Sequence, residues 1–443
     1  MNVLLLDQTG SFLDFALRCT AAGHVVKTCM AYDKKTNQRR KIGDGLIDKI
    51  EREDWQKWSK WADIILTSDN VKWLRELDLL KKRGFPVFAP SWESADLELH
   101  RIKGQALFKK CGLKVVDYQA FSDYKKAEKM VMQTMGRYVS KPDGDVDKAL
   151  SYVSKSPADM IYMLRRWDSM AGNKGRGFML QEFVGGIEFA VNGWMGKNGF
   201  AKAIEESFEH KKLMPDDYGP NTGEMGTAIK YVEYSKLAEE VLYPLEDELI
   251  KIGHTGSVDV SVIMDEDGVP HPLEFTSRPG WPAFNIVQPL HPDPVEWMAH
   301  LLDGEDTFQP SLDHAIGVVM CIPDFPYSHL TKKEVSGIPV YNLDDDNEYR
   351  PYIAPCELMS GMAPAMEGDE LVDNKRLMVS CGDYLVVATG CGDTVREAKK
   401  KAYDAVESLE IPNNIIVRND IGDRCKKWLP ELTSFGYATD WVY

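Results

Sequence analysis

The chain has 443 residues, 44% hydrophobic and 28% charged, with a net charge of −16 at pH 7. Such a length calls for two to four domains. The charge opposes duplex nucleic acid and anionic membranes while leaving room for a local basic pocket. The eight cysteines (Cys19, Cys29, Cys111, Cys321, Cys356, Cys381, Cys391 and Cys425) show neither C-x-x-C nor zinc spacing, so they read as reduced thiols of a cytoplasmic protein.

The opening "MNVLLLDQTG" is stopped by Asp7 and is too short for a signal or a membrane span. It predicts a buried strand at 3–6 followed by a helix at 11–22. Further apolar strands at 62–69 and 85–91 complete a small parallel α/β domain over 1–100. Over 101–185 the pattern predicts a helix at 102–113 closed by Gly112, a strand at 137–145 carrying Lys141, and a strand at 177–186 ending on Gly185-Gly186. The next part, 186–310, reads as two strands over 187–206 joined by Gly-Lys-Asn-Gly, a helix at 234–252, and a hairpin over 256–278 with Asp-Gly at its turn. The last part, 311–430, opens with the strand "AIGVVMCI". It then has a strand at 384–390 and a helix at 393–409, with Thr394 and Glu397 in capping-box spacing. Residues 431–443 read as a tail. The expected fold class is α/β (α+β).

The hairpin at 256–278 carries the clearest chemistry. Asp259 sits inside the apolar "SVDVSV" and Glu274 inside "PLEFTS". Paired strands bring the two carboxylates near one another, and a cation between them resolves their repulsion. Oxygen ligands suit Mg²⁺, which accompanies nucleotide phosphates. Two solvated carboxylates on an open sheet face are the alternative that spacing leaves standing. Lys103, Lys141 and Glu188, each read alone, are ordinary surface residues. The loop "YGPNTGEMGT" (218–227) has three glycines and a proline and follows "FEHKK". Glycines let backbone close on a ligand, and backbone N–H groups can hold a carboxylate or phosphate. Neither a Walker pattern nor G-x-S-x-G is present.

In chain order these pieces resemble the phosphoribosylamine–glycine ligase family of the ATP-grasp superfamily. "GPNTGEMG" (219–226) is similar to that family's Gly-Pro-Asn-Thr-Gly-Gly-Met-Gly, with "HKK" at the usual distance upstream. "LQEFVGGIEFAV" (180–191), "PLEFTSRPG" (272–280) and "VRNDIG" (417–422) resemble further family segments. The resemblance implies an ATP-grasp fold with an N-terminal parallel α/β domain, a lid and a C-terminal mixed domain. It implies ATP with Mg²⁺ (or Mn²⁺), a glycine-like carboxylate and an amine as substrates, no membrane, and a monomer or homodimer. It assigns Lys103, Lys141 and Lys148 to ATP phosphates, and Gln181, Glu182, Phe183 and Val184 to the adenine hinge. Glu188 falls to ribose, and Asp259, Glu274 and Thr276 to metal. Arg278, Lys211, Asn221, Thr222 and Gly223 fall to the reacting groups.

The departures lie in the acceptor half. "DQTGSFLD" (7–14) stands where the family has Gly-Asn-Gly-Gly-Arg-Glu, and "SDNVKWL" (68–74) where it has Pro-Glu-x-x-Leu. Thr276 replaces an Asn. The expected function is an ATP-dependent, ADP-forming carboxylate–amine ligase whose acceptor need not be phosphoribosylamine. The alternative is a nucleotide-binding regulator or scaffold without catalysis.

Overall fold

The computed structural model describes residues 1–32, 39–52, 54–142, 151–170, 177–327, 332–412 and 415–443. The N-terminal domain is a five-stranded parallel sheet of order β3-β2-β1-β4-β5. Its strands are β1 (Asn2–Asp7), β2 (Val25–Met30), β3 (Lys49–Ile50), β4 (Ile64–Thr67) and β5 (Val87–Phe88). The apolar run Val3–Leu6 is completely buried because both faces of the sheet are covered. β2 and β3 lie outside the expected strands. Val25 is exposed and Lys27 interrupts the apolar pattern of β2, its ammonium over the Trp58 ring at 4.2 Å. Asp7 ends β1 and caps the following turn, accepting from the Gly10 and Phe12 N–H groups at 2.8 and 3.0 Å.

The lid carries a four-stranded sheet built from β6 (Tyr118–Phe121), β7 (Tyr138–Pro142), β8 (Tyr152–Val153) and β9 (Phe178–Glu182). Two helices, Tyr124–Thr134 and Pro157–Ser169, cover one side of it.

The largest element is a ten-stranded antiparallel sheet. Its first six members are β10 (Ile187–Gly196), β11 (Gly199–Phe200), β12 (Ile204–Glu209), β13 (Gly226–Val232), β14 (Gly256–Met264) and β15 (Pro270–Thr276). β16 (His314–Cys321) and β17 (Ile353–Pro355) extend it, whereas β18 (Leu358–Glu367) and β19 (Glu370–Ser380) form a separate hairpin. β20 (Tyr384–Gly392) and β21 (Ile416–Val417) complete the sheet. β13 pairs with β16, so the sheet runs without interruption across residue 310.

Alternation along the strands gives this sheet two characters. Val258, Val260 and Val262 of β14 face one side with Phe189, Val191, Phe208 and Phe275, all buried in the main core. Ser257, Asp259 and Ser261 face the other side. The predicted helix at 234–252 is a composite: a wide turn at Ala238–Leu242, a tight turn at Tyr243–Leu245, and a regular helix only from Glu246 to Lys251. Pro244 has no N–H to give and its ring crowds the preceding turn, which breaks the helix there. Thr394 caps the helix Val395–Glu407 as expected, accepting from the Glu397 N–H at 3.1 Å, while the Glu397 carboxylate takes the Asp393 N–H instead of closing the box.

That helix lies directly on β20 at Gly390. A Cβ there would stand 2.2 Å from both the Ala398 oxygen and the Ala402 nitrogen, which are backbone atoms with nowhere to go. Gly390→Ala should therefore destabilise the protein by roughly 2 kcal/mol or more, read as a lower urea midpoint. An unchanged midpoint would contradict this packing.

Candidate active site

The polar face of the large sheet carries the site. Register places Asp259 of β14 opposite Thr276 of β15 on one side and Asn192 of β10 on the other, and Asn192 opposite Glu205 of β12. A neighbouring row brings Glu274, Ser261, Ala190 and Ser207 together. Side chains opposite one another on one face are about 4.5–5.5 Å apart at Cβ, so carboxylates collect here. Glu205, Glu209 and Asp259, with Asn192, Ser207 and Thr276, line a cavity of about 30 Å³.

Three cations answer this charge. The Arg101 guanidinium pairs with Glu274 through Nη1, and its Nε donates to the Pro142 carbonyl at 3.1 Å. Lys211 Nζ lies 2.5 Å from Glu188 Oε1 and 2.9 Å from Glu209 Oε2. Lys141 enters from β7. Burial lowers its pKa to about 8, with Glu274 opposing that shift and Arg101 and Lys211 adding to it. Burial alone would raise the Glu274 carboxyl, but Arg101, Lys211 and Lys141 hold it well below the usual carboxylate range. Lys211 runs the other way. Burial disfavours its ammonium, yet Glu188, Glu209 and Glu274 hold it well above an ordinary lysine. Asp259 makes no hydrogen bond or ion pair among the described residues. Burial, followed by Glu209 and Glu205, pushes its carboxyl well up. Burial also raises Glu205 to about 7.

The structure separates one of the expected lysines from this cluster. Lys103 is 57% exposed and pairs with Asp96 at 2.5 Å. It lies on the helix Arg101–Lys110, where residues two apart point roughly 200° apart, so only one of 101 and 103 can face the sheet. The inward face is Arg101, Gly104, Gln105 and Phe108. A Cβ at Gly104 would meet the Leu97 oxygen at 2.6 Å, Gln105 Nε2 donates to the Leu273 carbonyl at 2.8 Å, and Phe108 stacks on Phe275 at 4.2 Å. Arg101 thus stands where Lys103 was expected, and the spacing of 101, 104, 105 and 108 is the signal that would have found it. Lys148 lies outside the described residues.

The segment 181–184 joins lid to core. Gln181 is buried with its Nε2 unpartnered, Glu182 is exposed, and the Phe183 ring lies under the Arg137 guanidinium at 3.3 Å. Val184 follows at half exposure. Glu188 begins β10 and holds Lys211. Arg278 is drawn to the seam with the N-terminal domain, where Nη2 meets Glu98 Oε1 at 3.1 Å. The other oxygen of Glu98 accepts from Asn70 Nδ2 at 2.6 Å and the Ser277 N–H at 2.9 Å.

The loop 211–226 closes on itself. Thr222 donates through both N–H and Oγ1 to the Lys211 carbonyl, at 2.8 and 2.9 Å. Asn221 Nδ2 reaches the Ser151 carbonyl of the lid at 3.4 Å, and Gly223 is exposed. The other two glycines of this loop serve the fold. Gly219 takes φ +81° in a turn, and at Gly226 (φ +149°) a Cβ would stand 2.4 Å from the Gly317 oxygen. Their expected closeness to a ligand is replaced by turn geometry and by packing against β16.

Comparison with known proteins places the fold among characterised relatives. Residues 103–283 match the family described as phosphoribosylglycinamide synthetase, ATP-grasp (A) domain. The phosphoribosylamine–glycine ligase of Ralstonia nicotianae is 26% identical over 366 residues, covering 79% of this chain and 81% of the relative. That of Streptococcus pneumoniae is 23% identical over 391 residues, covering 84% and 87%. The crystal structure of phosphoribosylamine–glycine ligase from Thermotoga maritima superposes with a TM-score of 0.70 at 22% identity, covering 95% of this chain and all of that one. An N5-carboxyaminoimidazole ribonucleotide synthetase in complex with ADP gives 0.58 at 12% identity, covering 91% and 96%. The chain has the ATP-grasp fold: its residues 103–283 match the phosphoribosylglycinamide synthetase ATP-grasp domain, and along most of its length it is similar to phosphoribosylamine–glycine ligases.

Proposed function

We propose that the protein is an ATP-dependent, ADP-forming carboxylate–amine ligase acting on glycine or a similar small carboxylate. The observation that carries this reading is the convergence of Arg101, Lys141 and Lys211 on Glu274, beside Asp259, at the junction of lid and core. In the reaction, a carboxylate oxygen attacks the γ-phosphorus of ATP and ADP leaves. The amine nitrogen then attacks the acyl carbon, gives up a proton, and phosphate departs with that carboxylate oxygen. Little covalent chemistry falls to the protein, which positions the partners and balances charge. Arg101, Lys141 and Lys211 hold the phosphates, with Gln181 to Val184 at adenine and Glu188 at ribose. Arg278 lies toward the N-terminal domain, where the acceptor enters. Asn221, Thr222 and Gly223 meet the carboxylate.

Asp259, Glu274 and Thr276 offer oxygen donors only, the set a hard cation such as Mg²⁺ prefers, and Asp259 makes no ion pair among the described residues. Bound there, Mg²⁺ would neutralise charge on the transferring phosphoryl group. The protein would work in the cytoplasm as a monomer or homodimer. Among the described residues no helix is long and apolar enough to cross a membrane.

Purified protein with Mg²⁺, ATP and glycine should release ADP only when an amine acceptor is present. Phosphoribosylamine is the first to try. ADP formed with another amine but not with this one would assign a repurposed acceptor site, and tight ATP binding with no ADP from any pair would favour a non-catalytic regulator.

Arg101→Ala should raise the KM for ATP at least about tenfold, because a charged hydrogen-bonded partner is worth roughly 1.5–3 kcal/mol. Lys103→Ala should leave it within about twofold. The opposite order in steady-state kinetics would return the phosphate role to Lys103.

Lys141 carries its proton below its pKa of about 8 and loses it above. Attraction for phosphate is therefore present at neutral pH and fades as pH rises through that value. kcat/KM for ATP should fall on that limb, and Lys141→Arg, which stays charged, should remove it. A wild-type profile flat from about pH 7 to 9 would contradict the assignment.

A further inference from the structure

The loop between β12 and β13 is held from outside by the segment that follows β21. Arg418 is completely buried. Its Nε and Nη2 grip Asp420 at 2.5 and 2.9 Å, and its Nη1 donates to the Lys212 carbonyl at 2.9 Å and to Asp217 Oδ1 at 3.3 Å. Arg424 also pairs with Asp217. Asp420 in turn accepts the Asp216 N–H at 3.1 Å.

Asp216 and Asp217 are successive non-glycine residues in the left-handed region, at φ +56° and +59°. Such a pair persists only where its surroundings over-determine it, and strain of this kind gathers at functional sites. The loop's own turn bonds, Met214 N–H to the Tyr218 carbonyl and Tyr218 N–H to the Pro215 carbonyl, span the pair, and among the described residues the side-chain contacts that hold it come from 418–424. The same segment reaches the site through one peptide. Arg418 holds the carbonyl of Lys212, whose neighbour Lys211 bridges Glu188 and Glu209 and carries Thr222 on its own carbonyl. The buried His210 ring, with no partner on either nitrogen among the described residues, lies beside this clamp and is kept neutral by burial and by Arg418 and Arg424.

We infer that Arg418, with Asp217 and Asp420, is a positioning group that holds the strained 213–222 loop in the shape that presents Asn221, Thr222 and Gly223 to the substrate carboxylate. The inference rests on the ligase reading of the site. It makes the far C-terminal part of the chain a determinant of affinity for the carboxylate rather than for ATP.

Asp217→Asn is the cleanest variant. Its side chain is 46% exposed, asparagine tolerates the left-handed region, and Arg424 loses its charged acceptor while Arg418 loses one of its two and keeps Asp420. The KM for glycine should rise about tenfold while that for ATP stays within about twofold. Amides of 213–222 should exchange hydrogen faster than in the wild type. Arg418→Lys keeps the charge but loses the two-pronged grip, and should shift the same readouts in the same direction. Unchanged exchange and unchanged KM in Asp217→Asn would overturn the inference. So would equal losses for ATP and glycine with a lowered unfolding midpoint, the mark of a purely structural role. If the wild type turned over no glycine, the ligase reading would fail first. The exchange comparison would still decide the clamp, supported by faster exchange confined to 213–222 and overturned by none.

Discussion

Glu274 pairs with Arg101 and lies in the field of Lys141 and Lys211, which together favour its ionised form. A carboxylate withdrawn from water is costly unless cations compensate it. The three cations come from separate parts of the chain: the helix that leaves the N-terminal domain, the lid strand β7, and the loop after β12. Balancing one charge therefore draws on three segments of the chain. Asp259, one strand away, is left without a cation among the described residues. On the proposed reading this imbalance suits a ligand pair of opposite charge, an anionic nucleotide for the cations and a divalent cation for Asp259. Neither need enter a cleft already neutralised against it.

The sheet makes this arrangement affordable. One face of β10, β12 and β14 is buried under helices and supplies the main core. The other face is free to carry Asp259, Asn192, Glu205 and Ser261 because the alternation of "GSVDVSVIM" separates the two functions residue by residue. Toward its far end the polar face turns aromatic. Trp194 and Phe284 pack with Phe12 and Phe15 of the N-terminal domain. The Glu98–Asn70–Arg278 network lies along the same seam, so this end of the cleft is set by contact between domains.

The carboxylate hairpin was legible in the sequence because its residues lie on regular strands. Period-two alternation placed Asp259 and Glu274 on one hairpin, and the register confirms that they share a face. The family resemblance that points to Lys103 carries no helical phase, and in the structure Lys103 lies on the outward face with Asp96. Arg101 lies on the inward face with Gly104 and Phe108, and a guanidinium serves there. Glu205 and Asn192 escaped notice because nothing in "AIEESFE" or "AVNGW" distinguishes a polar residue facing a cavity from one facing water. β2 was lost because an exposed Val25 and a central Lys27 break its apolar run. Arg418 was visible only as part of a family-like tail. Its role depends on contacts more than two hundred residues away in sequence, which no local pattern encodes.

The central claim is that this cleft passes a phosphoryl group from ATP to a carboxylate. Glycine labelled with heavy oxygen in its carboxyl group tests it directly, with ATP, Mg²⁺ and an accepted amine. The account predicts that each phosphate released carries one labelled oxygen, read by the isotope shift in phosphorus NMR, with ADP as the nucleotide product. Unlabelled phosphate accompanying amide formation, or AMP in place of ADP, would contradict it.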